Sequence, residues 1–213
     1  MKVFVIHYKK LNDRKTFMIE QFKKYNIYDY EFIEIDRDEL LKNQIEMFQI
    51  NFPNRQIAVS LSHFYAFKQI AEKYEEALIF EDDAVLTENF SNIFNNYYKE
   101  LPKNYDMLFI GNGCNLHIPS VNILPNVNIY KKCIESTSWG GDGITRCTDS
   151  YLVSKKCAIK ICSYIDNLKY KINQPIDWWL NRVGRDIKLD VYWSEPTIVS
   201  QGTQNGLFNS SLR

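Results

Sequence analysis

The apolar run Ala77-Leu78-Ile79-Phe80 ends abruptly in three consecutive carboxylates, Glu81-Asp82-Asp83. Such a run suits a strand buried on both faces, and the acids then fall at its C-terminal end. In open α/β sheets that edge is where ligands bind. Three adjacent anions repel one another unless a cation or solvent screens them. Hard oxygen donors select Mg²⁺ or Mn²⁺, and those ions in turn hold diphosphates. The pattern therefore suggests a metal–nucleotide site. The same acids also fit a solvated loop or a cap on the following helix, and spacing alone does not separate the two readings.

The elements that must position these acids can be read from periodicity. Val3 to Ile6 is a β-branched and aromatic run that suits a first buried strand. Asn12-Asp13 offers a cap for a helix carrying Phe17, Met18, Ile19 and Phe22. A second strand is expected over Tyr30 to Ile35, and a helix over Asp38 to Phe48. Asn51 to Arg55, with Pro53, breaks the pattern. Ser60 is expected to cap the next helix, whose apolar face is Leu61, Phe64, Tyr65, Phe67, Ile70 and Ala71. Beyond the acids, a helix is expected from Thr87 or Asn89, and a strand over Met107 to Ile110. Residues 114 to 147 read as loop. Tyr151 to Val153 reads as a strand, followed by a Ser154-capped helix through Ile165, a helix over Trp178 to Val183 and a strand over Ile187 to Trp193. A polar Gly/Asn-rich tail closes the chain. Strands alternating with helices predict one α/β layered domain over residues 1–213 with a mainly parallel sheet.

Composition narrows the partners. Lys+Arg and Asp+Glu balance at 26 each, so charge gives no case for nucleic acid or an anionic membrane as partner. No run of about 18 apolar residues exists, so no transmembrane segment is expected. The short apolar N-terminus reads as a strand and not as a signal peptide. Five cysteines without a CxxC pair fit reduced thiols better than a zinc site or a disulfide framework. The expected location is the cytoplasm, with peripheral membrane attachment as a variant. An abundance of Asn, Lys, Ile and Tyr matches an AT-rich bacterial or viral genome.

The wider pattern resembles glycosyltransferase family 25, which includes lipooligosaccharide and collagen galactosyltransferases. Ser60-Leu61-Ser62-His63, a helix, then Ala77 through Leu86 looks like its core signature. Val5-Ile6-His7-Tyr8 through Arg14 resembles its opening strand and Arg-containing turn. Thr148 through Ser154 resembles its T-x-x-Y-x-x-S strand, Gln174-Pro175-Ile176-Asp177 its P-[VI]-D element, and Glu195-Pro196 through Gln201 its closing segment. The departures are His7-Tyr8, where the family usually has Asn-Leu, and the stretch 111 to 146, which matches little.

The resemblance implies a GT-A fold, a Rossmann-like α/β sandwich. It also implies transfer of a sugar, galactose or glucose, from a UDP-sugar donor to a hydroxyl on a glycan or protein acceptor, with inversion. Asp83 is the first choice as ligand to Mn²⁺ or Mg²⁺; Glu81 and Asp82 would serve as second ligand or ribose acceptor. Asp177 is the candidate base, set against a helix-capping role, and Asp142 the second candidate for base or donor-hydroxyl binding. His7, Arg14, Ser62, His63 and Gln201 complete the expected nucleotide-sugar site. His63 fits a packed core histidine as well, and Arg14 a surface role. Trp139, Trp178 and Trp179 could stack on sugars, with at least one expected in the core. Gly202 and Gly206 suggest a tail that closes over donor. Two other readings are a metal-dependent nucleotide-diphosphate-sugar hydrolase and a non-catalytic carbohydrate-binding relative.

Overall fold

The computed structural model describes residues 1–132 and 145–209. Its first strand, β1 (Lys2–Ile6), leads into α1 (Asn12–Lys24) and β2 (Tyr30–Ile33). A short α2 (Lys42–Glu46) and the long α3 (Asn54–Lys73) precede β3 (Glu76–Glu81) and β4 (Ala84–Leu86). Then come α4 (Phe90–Glu100), β5 (Met107–Phe109), β6 (Ile129–Lys131), β7 (Ser150–Ser154) and α5 (Lys155–Asp166). The chain continues with α6 (Ile176–Asp186), β8 (Val191–Ser194) and β9 (Val199–Gln201).

The main sheet has seven strands in the order β2-β1-β3-β7-β5-β8-β6. β1 pairs in parallel with β2 and β3, and β5 pairs in parallel with β8. β7 is inserted antiparallel between β3 and β5, and β6 closes the far edge antiparallel to β8. Helices cover both faces, which is why the strands read as continuous apolar runs. Side chains alternate across the sheet. Ile79 of β3 points into a core with Phe64 and Phe67 of α3, Ile161 of α5 and Trp179 of α6. Leu78 and Phe80 point the other way, onto Met18 and Phe22 of α1 and Phe90 and Phe94 of α4. A separate two-stranded ribbon joins β4 to β9.

Three expectations need correction. α3 starts at Asn54, with Pro53 at its N-cap position, so Ser60 is an interior residue and not a cap. The fixed φ of proline favours a helix start there, and it breaks only what precedes it. Over 38–48 only Lys42–Glu46 is helical. Asp36 accepts the Asp38 backbone N–H at 2.9 Å, a local bond that competes with a helical turn. Residues 114 to 147 read as loop, yet β6 (Ile129–Lys131) lies among them, its place fixed by antiparallel pairing with the distant β8.

Candidate active site

β1 and β3 run side by side and end together, with Ile6 opposite Glu81. The segments that follow therefore enter one cleft at the C-terminal edge of the sheet. The cleft has a cavity volume of about 200 Å³ and is lined by His7, Arg14, Ser62, Glu81, Asp82, Asp83, Asp177 and Gln201, among others. Eight of the expected site residues thus meet in one place. His63 does not line it. Asp142 and Trp139 lie outside the described residues.

The three acids have different surroundings. Asp82 is buried, and its oxygens are taken by the protein. Arg14 donates from Nη1 to Oδ1 at 2.6 Å, and Oδ2 faces His7 Nδ1 at 2.9 Å and the Tyr8 backbone N–H at 3.3 Å. A buried carboxylate with this many donors is a structural anchor. It locks the turn after β3 to the turn after β1. Arg14 is likewise committed, since Nη2 donates to the Asn209 carbonyl at 2.5 Å and Phe208 lies over the guanidinium at 5.2 Å.

Asp83 is also buried, but less well compensated. Thr203 donates its hydroxyl to Oδ2 at 2.5 Å. Burial, and then the negative charge of Glu81, push its pKa up to about 6. Glu81 is partly exposed, and Thr148 donates to its Oε1 at 2.7 Å. Behind it sits Asp149, fully enclosed, its carboxyl pushed well above the usual range by burial and by Glu81. Gly111 makes room for that carboxyl, because a Cβ there would stand 1.9 Å from Asp149 Oδ2. The cleft edge is thus short of positive charge.

Asp177 stands in the first turn of α6, with Pro175 at the N-cap position. Its pKa is raised, chiefly by burial and also by Glu81, against the opposing effect of the Trp178 N–H. His63 is fully buried on α3. Its Nδ1 meets the Tyr151 hydroxyl at 2.6 Å, and its Nε2 lies 3.6 Å from Glu81 Oε1. It packs behind the acids. Ser62 lines the cleft and donates to the Ala58 carbonyl at 2.9 Å. Gln201 pairs with Ala84 through the β4–β9 ribbon, which carries the tail to Asp83. Trp179 is core, at 3% exposure, while Trp178 is 46% exposed beside Asp177.

Among the described residues no three His, Cys, Asp or Glu side chains converge as a complete metal cage. The donor set still fits Mn²⁺ or Mg²⁺ held jointly with a substrate. Such ions take one or two carboxylates and fill their remaining positions with phosphate oxygens and water. Glu81 and Asp83 supply two hard donors on the cleft wall.

Several cleft residues were not anticipated: Arg37, Arg55, Gln56, Thr148 and Thr203. Arg55, Val59 and Ser62 share one face of α3 at helical spacing. With the helix start placed at Pro53, that stripe would have led from Ser62 back to Arg55.

The fold is α/β with the acids at the sheet's ligand-binding edge. The model of glycosyltransferase family 25 (LPS biosynthesis protein) matches residues 1–178, and the chain belongs to this family of glycosyltransferases. Among solved structures it is similar to the galactosyltransferase LgtC with donor and acceptor sugar analogues. That match has 7% identity, covers 94% of this chain and 86% of that one, and gives a TM-score of 0.52. An active-site mutant of LgtC gives 8% identity, the same coverages and a TM-score of 0.51. The catalytic domain of Drosophila β1,4-galactosyltransferase 7 with xylobiose gives 12% identity over 100% of this chain and 74% of that one, at a TM-score of 0.49. At these identities the likeness to LgtC defines the fold alone, GT-A. No curated protein sequence matches the chain.

Proposed function

We propose that the chain transfers a hexose, galactose or glucose, from a UDP-sugar to a hydroxyl of a glycan or protein acceptor, with inversion and with Mn²⁺ or Mg²⁺. The observation that carries this reading is the shared cleft of Glu81, Asp83 and Asp177 in a chain of this family. Asp83 and Glu81 would hold the cation, which when bound offsets charge developing on the leaving nucleoside diphosphate. Thr203 and Thr148 aim those two carboxylates by hydrogen bonds. Asp82, Arg14 and His7 keep the turns in register without touching the ion. Asp177 takes the acceptor proton, and the burial that raises its pKa makes it a better proton acceptor than an exposed carboxylate. The tail from Gln201 to Asn209, tied to Asp83 and Arg14, is the segment that closes over donor. A reducing, cytoplasm-like setting suits the free thiols of Cys114 and Cys147.

The test is a donor panel assayed with and without Mn²⁺ on the wild-type chain and on Asp83→Ala. The expected result is acceptor-stimulated, metal-dependent turnover of a UDP-sugar that the variant loses while keeping its fold. Full activity of the folded variant overturns the assignment. Turnover that no acceptor accelerates points instead to the hydrolase reading.

A further inference from the structure

The cleft has two chemically distinct ends. Asp83, Glu81 and Asp177 form one, beyond β3 and at the start of α6. At the other, beyond β2, stand Tyr8, Ile35, Arg37, Arg55 and Gln56. α3 spans the gap. Its first residue, Asn54, donates from Nδ2 to the Arg37 carbonyl at 3.4 Å, while His63 reaches toward Glu81. Seven helical residues from Arg55 to Ser62 rise about 10 Å. β2 and β3 flank β1 and so stand about 10 Å apart by an independent count.

Arg55 is the unsatisfied group at this second end. Its Nε is buried and meets no acceptor, and among the described residues its guanidinium has no ion-pair partner. Arg14, by contrast, is committed to Asp82, and Arg37 lies over the Tyr8 ring at 4.2 Å. A buried N–H without an acceptor is costly, so an acceptor supplied from outside the chain is the natural complement. Beside it, the Tyr8–Arg37 pair is a flat surface of the kind on which planar rings stack.

We propose that Arg55, together with Gln56, reads the nucleobase of the donor and sets a preference for a dioxo-pyrimidine. The inference rests on the nucleotide-sugar transferase reading and deepens it. With the diphosphate at the carboxylate end, the base must extend away from it, and the β2 end offers stacking together with side-chain donors. A guanidinium has donors only, so it pairs with the carbonyl oxygens of uracil and opposes the exocyclic amine of cytosine. The Gln56 amide can donate to a second carbonyl or accept from the ring N–H. Sites built on such bonds reject the analogue that leaves them unpaired.

Calorimetric titration of the full chain with UDP, CDP and pyrophosphate, each in Mn²⁺, tests this on wild type, R55A and R55K. Wild type is expected to favour UDP over CDP by about tenfold or more, the worth of one well-made buried hydrogen bond. R55A should lose most of that preference while holding pyrophosphate as tightly as wild type. R55K keeps the charge but not the planar fork, and should also lose most of it. Pyrophosphate affinity falling in step with UDP would make Arg55 a phosphate ligand and overturn the assignment. So would unchanged UDP affinity in R55A, or an R55A enzyme whose acceptor KM alone rises. Absence of any Mn²⁺-dependent UDP binding in wild type would overturn the transferase reading itself, and this proposal with it.

Discussion

Replacing Asp83 with Asn should stabilise the metal-free protein, although Asp83 is buried and hydrogen-bonded. Its folded pKa is about 6 against an ordinary 3.8, with burial as the first cause and Glu81 as the second. The native state therefore holds this proton more tightly than the unfolded chain. Stability falls as pH rises from about 4 through about 6, because only the native state must then give up a favoured proton. The full penalty, present above the folded pKa, is about 3 kcal/mol by linkage, and at about pH 4.5 it is about 1 kcal/mol. Asparagine is neutral and of the same shape, and its Oδ1 can still accept the Thr203 hydroxyl. At about 2–4 °C per kcal/mol for a chain of this size, D83N in chelator at about pH 7.5 should melt about 6–12 °C above wild type. The gap should shrink to about 2–4 °C at about pH 4.5. Added Mn²⁺ with UDP should raise the wild-type melting temperature and leave the variant unmoved. Differential scanning calorimetry at both pH values, with chelator and with Mn²⁺–UDP, decides it. A metal-free D83N that melts below wild type at the higher pH would refute the electrostatic account. A variant that keeps the Mn²⁺–UDP response would refute the ligand assignment.

The other predictions concern separate residues. D177N should lower kcat by about 10²–10⁴ with donor affinity unchanged, read by steady-state kinetics beside UDP titration; a parallel loss of donor affinity would contradict a role as base. D82A should cost about 3–5 kcal/mol in urea unfolding, because it strands the buried Arg14 guanidinium; a near-neutral effect would mean that Asp82 is no anchor. W179A should cost about 3–5 kcal/mol, since that ring packs on Phe64 at 5.0 Å between centroids. W178A should stay within about 0.5 kcal/mol of wild type in stability and raise the acceptor KM, because its ring is exposed beside Asp177.

Much of the layered fold is legible from the chain because local pattern and burial agree. Val3 to Ile6, Ala77 to Phe80 and Tyr151 to Val153 read as strands, and they form the adjacent strands β1, β3 and β7. Ser154 reads as a cap and does accept the Cys157 N–H at 3.2 Å. What the pattern cannot express is pairing between distant segments. The antiparallel insertion of β7 between β3 and β5 is such a pairing, as is the β4–β9 ribbon; neither changes any local periodicity. The start of α3 was misplaced for a different reason. Pro53 reads as a break although its fixed φ serves equally as an entry, and Ser60 then reads as the first available cap.

The acidic cluster shows why residue type locates a site sooner than it assigns roles within it. Glu81, Asp82 and Asp83 are interchangeable when read as three carboxylates in a row. Glu81 ends β3 and the two aspartates form the turn after it, so the three side chains leave in different directions, and each meets partners that lie far off in the chain. Asp82 meets Arg14 and His7, 68 and 75 residues away. Asp83 meets Thr203, 120 residues away, and Glu81 meets Thr148, 67 away. Once the central acid is neutralised by a buried arginine, the two outer acids are left facing the cleft, Asp83 with Thr203 and Glu81 with Thr148 and, at 3.6 Å, His63. The uncompensated charge that could recruit a dication therefore resides on Glu81 and Asp83, and the acid between them serves to hold them there.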